Sequence, residues 1–195
     1  MSLKVLVREV FYQARYALPV WLVRLLTELL PNNRVTVRLR GVLYRPFFAK
    51  CGRNLQVASG VHFLNSHGIE IGDDVYISYY AWLNGLGGIS VGDEVVVGPF
   101  VSISSLTHCY RGGSFRFGGA RASKVEIGKG TWLAAHVSVS YGVSVGSGCL
   151  VAANAAVVRD LPSNCVAGGV PAQEIGKCEE QEPDMMSRSG WKTSA

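Results

Sequence analysis

The phrase aliphatic-x-aliphatic-Gly occurs four times in this chain, as Ile69-Glu70-Ile71-Gly72, Ile89-Ser90-Val91-Gly92, Val125-Glu126-Ile127-Gly128 and Val143-Ser144-Val145-Gly146. The intervals are 20, 36 and 18 residues. Within each interval an aliphatic residue returns at every sixth position: Ile71, Ile77, Leu83; Val91, Val97, Ile103; Ile127, Leu133, Val139; Val145, Val151, Val157. A period of six fits neither a helix nor an alternating strand. It fits a short strand and a corner, repeated three times per turn of a triangular coil. One coil cannot bury its apolar face alone, so coils stack and their aliphatic residues form inward ladders. The 23 glycines against 7 prolines suit a fold with many corners and argue against a helical bundle. The 20-residue interval predicts a two-residue bulge at Gly87-Gly88, and the 36-residue interval predicts a corner opened by an excursion over about residues 108–124. Excursions from a rigid scaffold are where chemistry tends to sit.

Upstream of the repeats the pattern differs. Leu3, Leu6, Val7, Val10, Phe11, Ala14, Leu18, Trp21, Leu22, Leu25, Leu26 and Leu29 recur at helical spacing, which predicts an amphipathic helical segment over 1–33, in two pieces around Pro19 and ending near Leu30. Two placements stay open for it: packing on the main domain or a neighbouring subunit, or lying on an anionic membrane surface through Phe11, Tyr12, Tyr16 and Trp21 with Lys4, Arg8 and Arg15 alongside. The coiled domain is expected over 34–177, followed by a flexible acidic tail at 178–195. Arg8, Arg15, Arg24 and Pro19 interrupt the apolar run, so it reads neither as a signal peptide nor as a membrane span. Five cysteines without C-x-x-C spacing read as free thiols of a reducing compartment. The net charge of +5 fits a phosphorylated small molecule or anionic lipid, and the absence of a basic tract interleaved with aromatics argues against nucleic acid.

These repeats, together with Ala153-Asn154-Ala155-Ala156-Val157-Val158-Arg159-Asp160-Leu161-Pro162 and Val166-Ala167-Gly168-Gly169-Val170-Pro171-Ala172, resemble the hexapeptide-repeat acyltransferases. The likeness is strongest to the galactoside and maltose O-acetyltransferases and to acetyltransferases of capsule and O-antigen assembly. It implies a left-handed parallel β-helix of hexapeptide repeats with an N-terminal α-helical extension, a homotrimer, acetyl-coenzyme A as co-substrate, a cytoplasmic location with the inner membrane face as a peripheral alternative, and no metal. The left hand comes from the resemblance alone.

In that family a histidine follows an aliphatic-small run where the loop begins, and the match here is His108, with Trp132-Leu133-Ala134 downstream. An alcohol is protonated at neutral pH, and an imidazole can take its proton as the oxygen attacks a thioester and return it to the departing thiol. Asn84 matches the family's acceptor-contacting asparagine, and Arg111 on the loop is a candidate for an anionic acceptor. By the same resemblance the pantetheine arm lies between two subunits' coils, beside Trp132, Ala134, Ala152 and Ala153, with Arg159 and Lys177 as candidates for the phosphates. Ala134, Tyr141 and Gln173 depart from the family's usual residues. The acceptor is expected to be a small-molecule or lipid-linked sugar of cell-surface polysaccharide biosynthesis, because Val37-Arg38-Leu39-Arg40-Gly41 resembles enzymes of that pathway.

Other readings stay beside this one. N-acetylation of an amino sugar or a xenobiotic would use much the same residues. A γ-type carbonic anhydrase shares the coil and binds zinc through three histidines, and His62 and His67 have a suggestive spacing, although no third histidine precedes them. A noncatalytic trimeric scaffold presenting its N-terminal helices to a membrane or partner is the third.

Overall fold

The computed structural model describes residues 3–180. From Lys50 onward the chain winds as a triangular coil whose strands stack into three parallel faces. The first face holds Lys50–Cys51, Ile69–Ile71, Ile89–Val91, Val125–Ile127 and Ser144–Val145 in that order. The second holds Gln56–Val57, Tyr76–Ile77, Val96–Val97, Trp132–Leu133, Leu150–Val151 and Cys165–Gly168, with Gln173–Lys177 added antiparallel at its end. The third holds His62–Leu64, Trp82–Asn84, Ser102–Ser104, Ser138–Val139 and Ala156–Val157.

The six-residue period maps onto these faces without a slip. Ile71, Val91, Ile127 and Val145 are register partners on the first face, Ile77, Val97, Leu133 and Val151 on the second, and Leu83, Ile103, Val139 and Val157 on the third. All twelve are at most 2% exposed. Burying each such side chain is worth about 1.5–3 kcal/mol, and a one-residue slip would turn every rung outward, so the register is strongly held. The coils begin one turn earlier than the aliphatic phrases indicate, because Cys51 and Phe63 occupy inward positions where later coils have Ile, Val or Leu.

The helical extension also runs farther than residue 33. Helix α1 spans Leu3–Tyr12, α2 spans Leu18–Thr27 and α3 spans Arg34–Tyr44, so the expected boundary at 33/34 falls between two helices. The break near Pro19 takes the form of a π-helical turn over Gln13–Ala17, in which the Leu18 N–H reaches back to the Gln13 carbonyl. Pro19 has no N–H to return to the preceding turn, and the widened turn absorbs that loss. Asn33 starts α3 with a capping box: its Oδ1 accepts from the N–H groups of Val35 and Thr36, each at 3.0 Å, while its own N–H donates to Thr36 Oγ1 at 3.1 Å.

Helix α3 seals the first coil. A Cβ at Gly41 would stand 1.9 Å from the Leu55 carbonyl oxygen, so only glycine permits this approach. Phe63 meets Tyr44 and Phe48 edge-on, both at 5.0 Å between centroids, closing the open end of the stack. Arg40 is buried and donates to the carbonyls of Thr27 and Leu30 and to Asn32 Oδ1, at 2.9, 2.7 and 2.6 Å. These carbonyls lie at the end of α2 and just beyond it, where helix carbonyls lack partners within the helix and the dipole favours a cation. The expected acidic tail lies, beyond Glu180, outside the described residues.

Candidate active site

The expected excursion leaves the corner between the third and first faces. Leu106–His108 pairs antiparallel with Ala120–Ala122, His108 opposite Ala120, so the loop is a hairpin that projects from the coil. Its base is clamped. Ser105 is fully buried; its Oγ donates to the Asn84 carbonyl at 2.7 Å and accepts from the Gly87 N–H at 2.8 Å. Its own N–H also donates to the Asn84 carbonyl, at 3.1 Å. The two extra residues read at Gly87-Gly88 make this possible, because a Cβ at Gly87 would lie 2.4 Å from the Ser105 carbonyl oxygen.

Asn84 ends a strand of the third face and is 7% exposed. Its Oδ1 accepts from Asn65 Nδ2 at 2.8 Å and from the Leu86 N–H at 3.3 Å. A backbone N–H can only donate, which fixes the oxygen on that side, and the Asn84 amide hydrogens have no protein acceptor among the described residues. Asn65 in turn accepts from the Tyr12 hydroxyl at 3.2 Å, so the N-terminal helix reaches this corner. A cavity of about 310 Å³ lies beside the relay between helix and first coil, lined by Tyr12, Trp21, Arg24, Tyr44, His62 and Leu64 among others.

His108 is exposed, and its ring has no hydrogen-bond partner among the described residues. Arg111, farther along the hairpin, is exposed and bridges backbone to backbone with Ser114. Tyr110, Phe115 and Phe117 on the same loop are 67%, 58% and 83% exposed.

Of the residues assigned to the coenzyme, Arg159 lies at this same corner and the others lie elsewhere. Trp132 stands half exposed on the second face, and Ala134, Ala152 and Ala153 form the corner between second and third faces. Small side chains there leave the backbone open to close approach, as a long flexible arm requires. Lys177 ends the antiparallel strand on the second face and pairs with Glu174 at 2.7 Å, a bond that raises its pKa and occupies it in part. Arg159 is exposed at the corner between third and first faces, below the loop. Thus Asn84, His108 and Arg111 share one corner while Trp132 and the three alanines share another, with the third face between them.

The remaining histidines have other duties. Arg24 Nη1 stands 2.7 Å from His62 Nε2 and donates to it; burial first, then this guanidinium, lowers the imidazole pKa. His67 packs against the rings of Tyr12 and Tyr16, and His136 stacks on Phe100. Among the described residues no group of three His, Cys, Asp or Glu side chains is placed to hold a metal.

No family model matches the sequence. An acetyltransferase of Escherichia coli K12, WcaF, assigned to colanic acid biosynthesis, is 31% identical over 77% of this chain and 81% of its own length. The chain belongs to the hexapeptide-repeat acetyltransferases. The galactoside O-acetyltransferase of the same organism is 28% identical over 75% of this chain and 72% of that one. A galactoside acetyltransferase solved in complex with coenzyme A superposes with a TM-score of 0.74 at 26% identity, covering 83% of this chain and 80% of that one. The left-handed parallel β-helix with a helical extension, implied by the resemblance, is therefore the fold of this acetyltransferase.

Sequence reasoning missed Asn65, Ser105 and Tyr12, which position the Asn84 side chain and the loop base. The signal for Asn65 was its place just after Leu64, the register partner of Asn84 one coil later. That signal is legible only once the first coil is known to begin at Lys50.

Proposed function

We propose that this acetyltransferase carries the acetyl group of acetyl-coenzyme A to a sugar hydroxyl in the assembly of cell-surface polysaccharide, as a cytoplasmic homotrimer with His108 as general base. The observation that carries the reading is the split of candidate residues between two corners of the coil stack, over successive turns. A single chain presents His108 and Asn84 on one edge of its third face and Trp132 with the small residues on the other. Three chains packed side by side would bring the His108 corner of one against the Trp132 corner of the next, which supports three sites, each between two chains. The names of the relatives support the acceptor class: one is a galactoside O-acetyltransferase and another is assigned to colanic acid biosynthesis.

In this reading the Asn84 amide donates to an acceptor oxygen and holds the reacting hydroxyl in line. His108 takes the hydroxyl proton as the oxygen bonds to the thioester carbonyl carbon. The carbon–sulfur bond then breaks, and the protonated imidazole returns its proton to the departing thiolate. Trp132 lies along the pantetheine arm, and Arg159 and Lys177 face the phosphates.

The test is release of free thiol from acetyl-coenzyme A in the presence of galactosides and of polysaccharide-precursor sugars. The expected result is acceptor-dependent release that falls about 10²- to 10⁴-fold in His108→Ala while coenzyme binding is kept. Turnover equal to that of the unaltered protein would remove His108 from this role, and no release with any hydroxyl acceptor would remove the O-acetyltransferase reading.

A further inference from the structure

The segment from α1 through α2 carries two apolar stripes on opposite sides. One packs on the coil through Tyr12, Tyr16, Val20, Val23 and Thr27, all buried or half-buried. The other faces outward: Val7, Phe11, Leu18, Leu22, Leu25 and Leu29 are 60%, 65%, 51%, 38%, 54% and 96% exposed. Helix α3 repeats the arrangement, with Val37, Gly41 and Tyr44 turned inward and Val35, Leu39 and Val42 at 75%, 43% and 66% exposure. A helix that served only to seal the first coil would need one apolar stripe, with polar residues opposite.

Charge is distributed in the same sense. Residues 3–45 hold eight Arg and Lys against two Glu, whereas the rest of the chain holds eleven basic and twelve acidic residues. The whole positive surplus of the protein therefore lies in its helical layer. Both glutamates have partners there: Glu9 accepts from Gln13, and Glu28 from the Gly60 N–H. Lys4, Arg8 and Arg45 have no carboxylate partner among the described residues. Among the described residues no helix is long and apolar enough to cross a membrane, so a bilayer could meet this layer only along its side.

We propose that helices α1, α2 and α3 form a docking surface for an anionic lipid bilayer. The outward apolar residues enter the boundary between headgroups and acyl chains, and Lys4, Arg8 and Arg45 meet the lipid phosphates. An outward stripe bordered by unpaired cations is the combination such surfaces use, since apolar burial and attraction to anionic headgroups add. The coil is left standing off the bilayer, with the inward stripe still on it. Because Tyr12 belongs to that inward stripe and bonds Asn65, the bilayer would lie about one helix diameter, roughly 10 Å, from the residues that orient Asn84. The proposal stands on this surface alone and holds whatever the acceptor is.

The experiment is co-flotation of the full-length protein with vesicles of phosphatidylcholine alone and of phosphatidylcholine mixed with phosphatidylglycerol, at low and high salt, with the mass of the assembly measured in parallel. The expected result is partition about tenfold or more stronger on the anionic vesicles, weakened by salt. The double variant Phe11→Glu with Leu25→Glu, both exposed, should lose about tenfold or more of that partition with its assembly mass and circular dichroism unchanged. Absence of partition on anionic vesicles overturns the proposal. So does a change of assembly mass in the double variant, which would mean that a second copy of the chain covers the stripe.

Discussion

Asn65 holds the Asn84 carboxamide in one orientation: its Nδ2 donates to Asn84 Oδ1 at 2.8 Å across adjacent coils. Asn65 does so from a left-handed backbone conformation, φ 51°, which asparagine tolerates and most residues do not. Asn65→Gly therefore removes the donor without adding backbone strain. The expected outcome is about a tenfold loss of kcat/KM for the acceptor, with KM for acetyl-coenzyme A unchanged and the melting temperature near that of the parent. Steady-state kinetics varying each substrate in turn checks this. A purely structural asparagine would shift the melting temperature and leave the two substrates equally affected.

Placement of His108 and Trp132 on separate corners predicts complementation between chains. His108→Ala and Trp132→Ala proteins should each be impaired, the first in turnover and the second in coenzyme binding. Unfolded together and refolded as mixed assemblies, they should recover a measurable fraction of the unaltered rate, because a site between two chains can draw an intact histidine from one and an intact tryptophan from the other. Refolded separately, neither recovers. If both residues served one site within one chain, mixing would restore nothing.

The coil was legible because its cause is periodic: each inward rung repeats every six residues, and the fold requires the same apolar choice at every repeat. Leu83, Ile103, Val139 and Val157 can thus be assigned to one ladder from the sequence alone. The first coil was not legible, since Phe63 breaks the aliphatic rule in order to meet Tyr44 and Phe48. Nor was α3, where Val35, Val37 and Leu39 alternate as they would in a strand and the inward side is made by Val37, Gly41 and Tyr44. Among the proposed site residues, His108 and Asn84 are assigned by family resemblance, whereas Asn65 and Ser105 are visible only through contacts between coils. Such contacts depend on how many residues each corner spends, and corner length is what the repeat leaves free.

Arg40 is the one buried cation of the helical layer among the described residues, and its loss should be costly. The side chain is 1% exposed and satisfies the Thr27 and Leu30 carbonyls together with Asn32, which itself accepts from the Ser59 N–H of the first coil at 2.9 Å. Arg40→Met keeps the stem and removes every donor, leaving the Leu30 carbonyl without the guanidinium and the Thr27 carbonyl with the Leu30 N–H alone. A loss of about 2–4 kcal/mol is expected by urea unfolding. Limited proteolysis should then cut first between α2 and α3. A loss within a few tenths of a kcal/mol would mean that water replaces the guanidinium.

His62 gives the helical layer a pH dependence with a defined sign. Burial, then the Arg24 guanidinium, lowers its pKa in the folded protein, and Glu28 opposes them with a smaller effect. Because the folded value lies below the unfolded value of about 6.5, the unfolded chain takes up the proton first as pH falls. Stability from the neutral imidazole is complete above about pH 6.5 and is lost on acidification through the folded value. His62→Gln retains an oxygen able to accept from Arg24 and does not titrate. Melting curves of both proteins between about pH 5 and 7.5 should therefore converge or cross, the unaltered protein losing stability faster on the acid side. Parallel curves over that range would show that the Arg24–His62 contact is not maintained in solution.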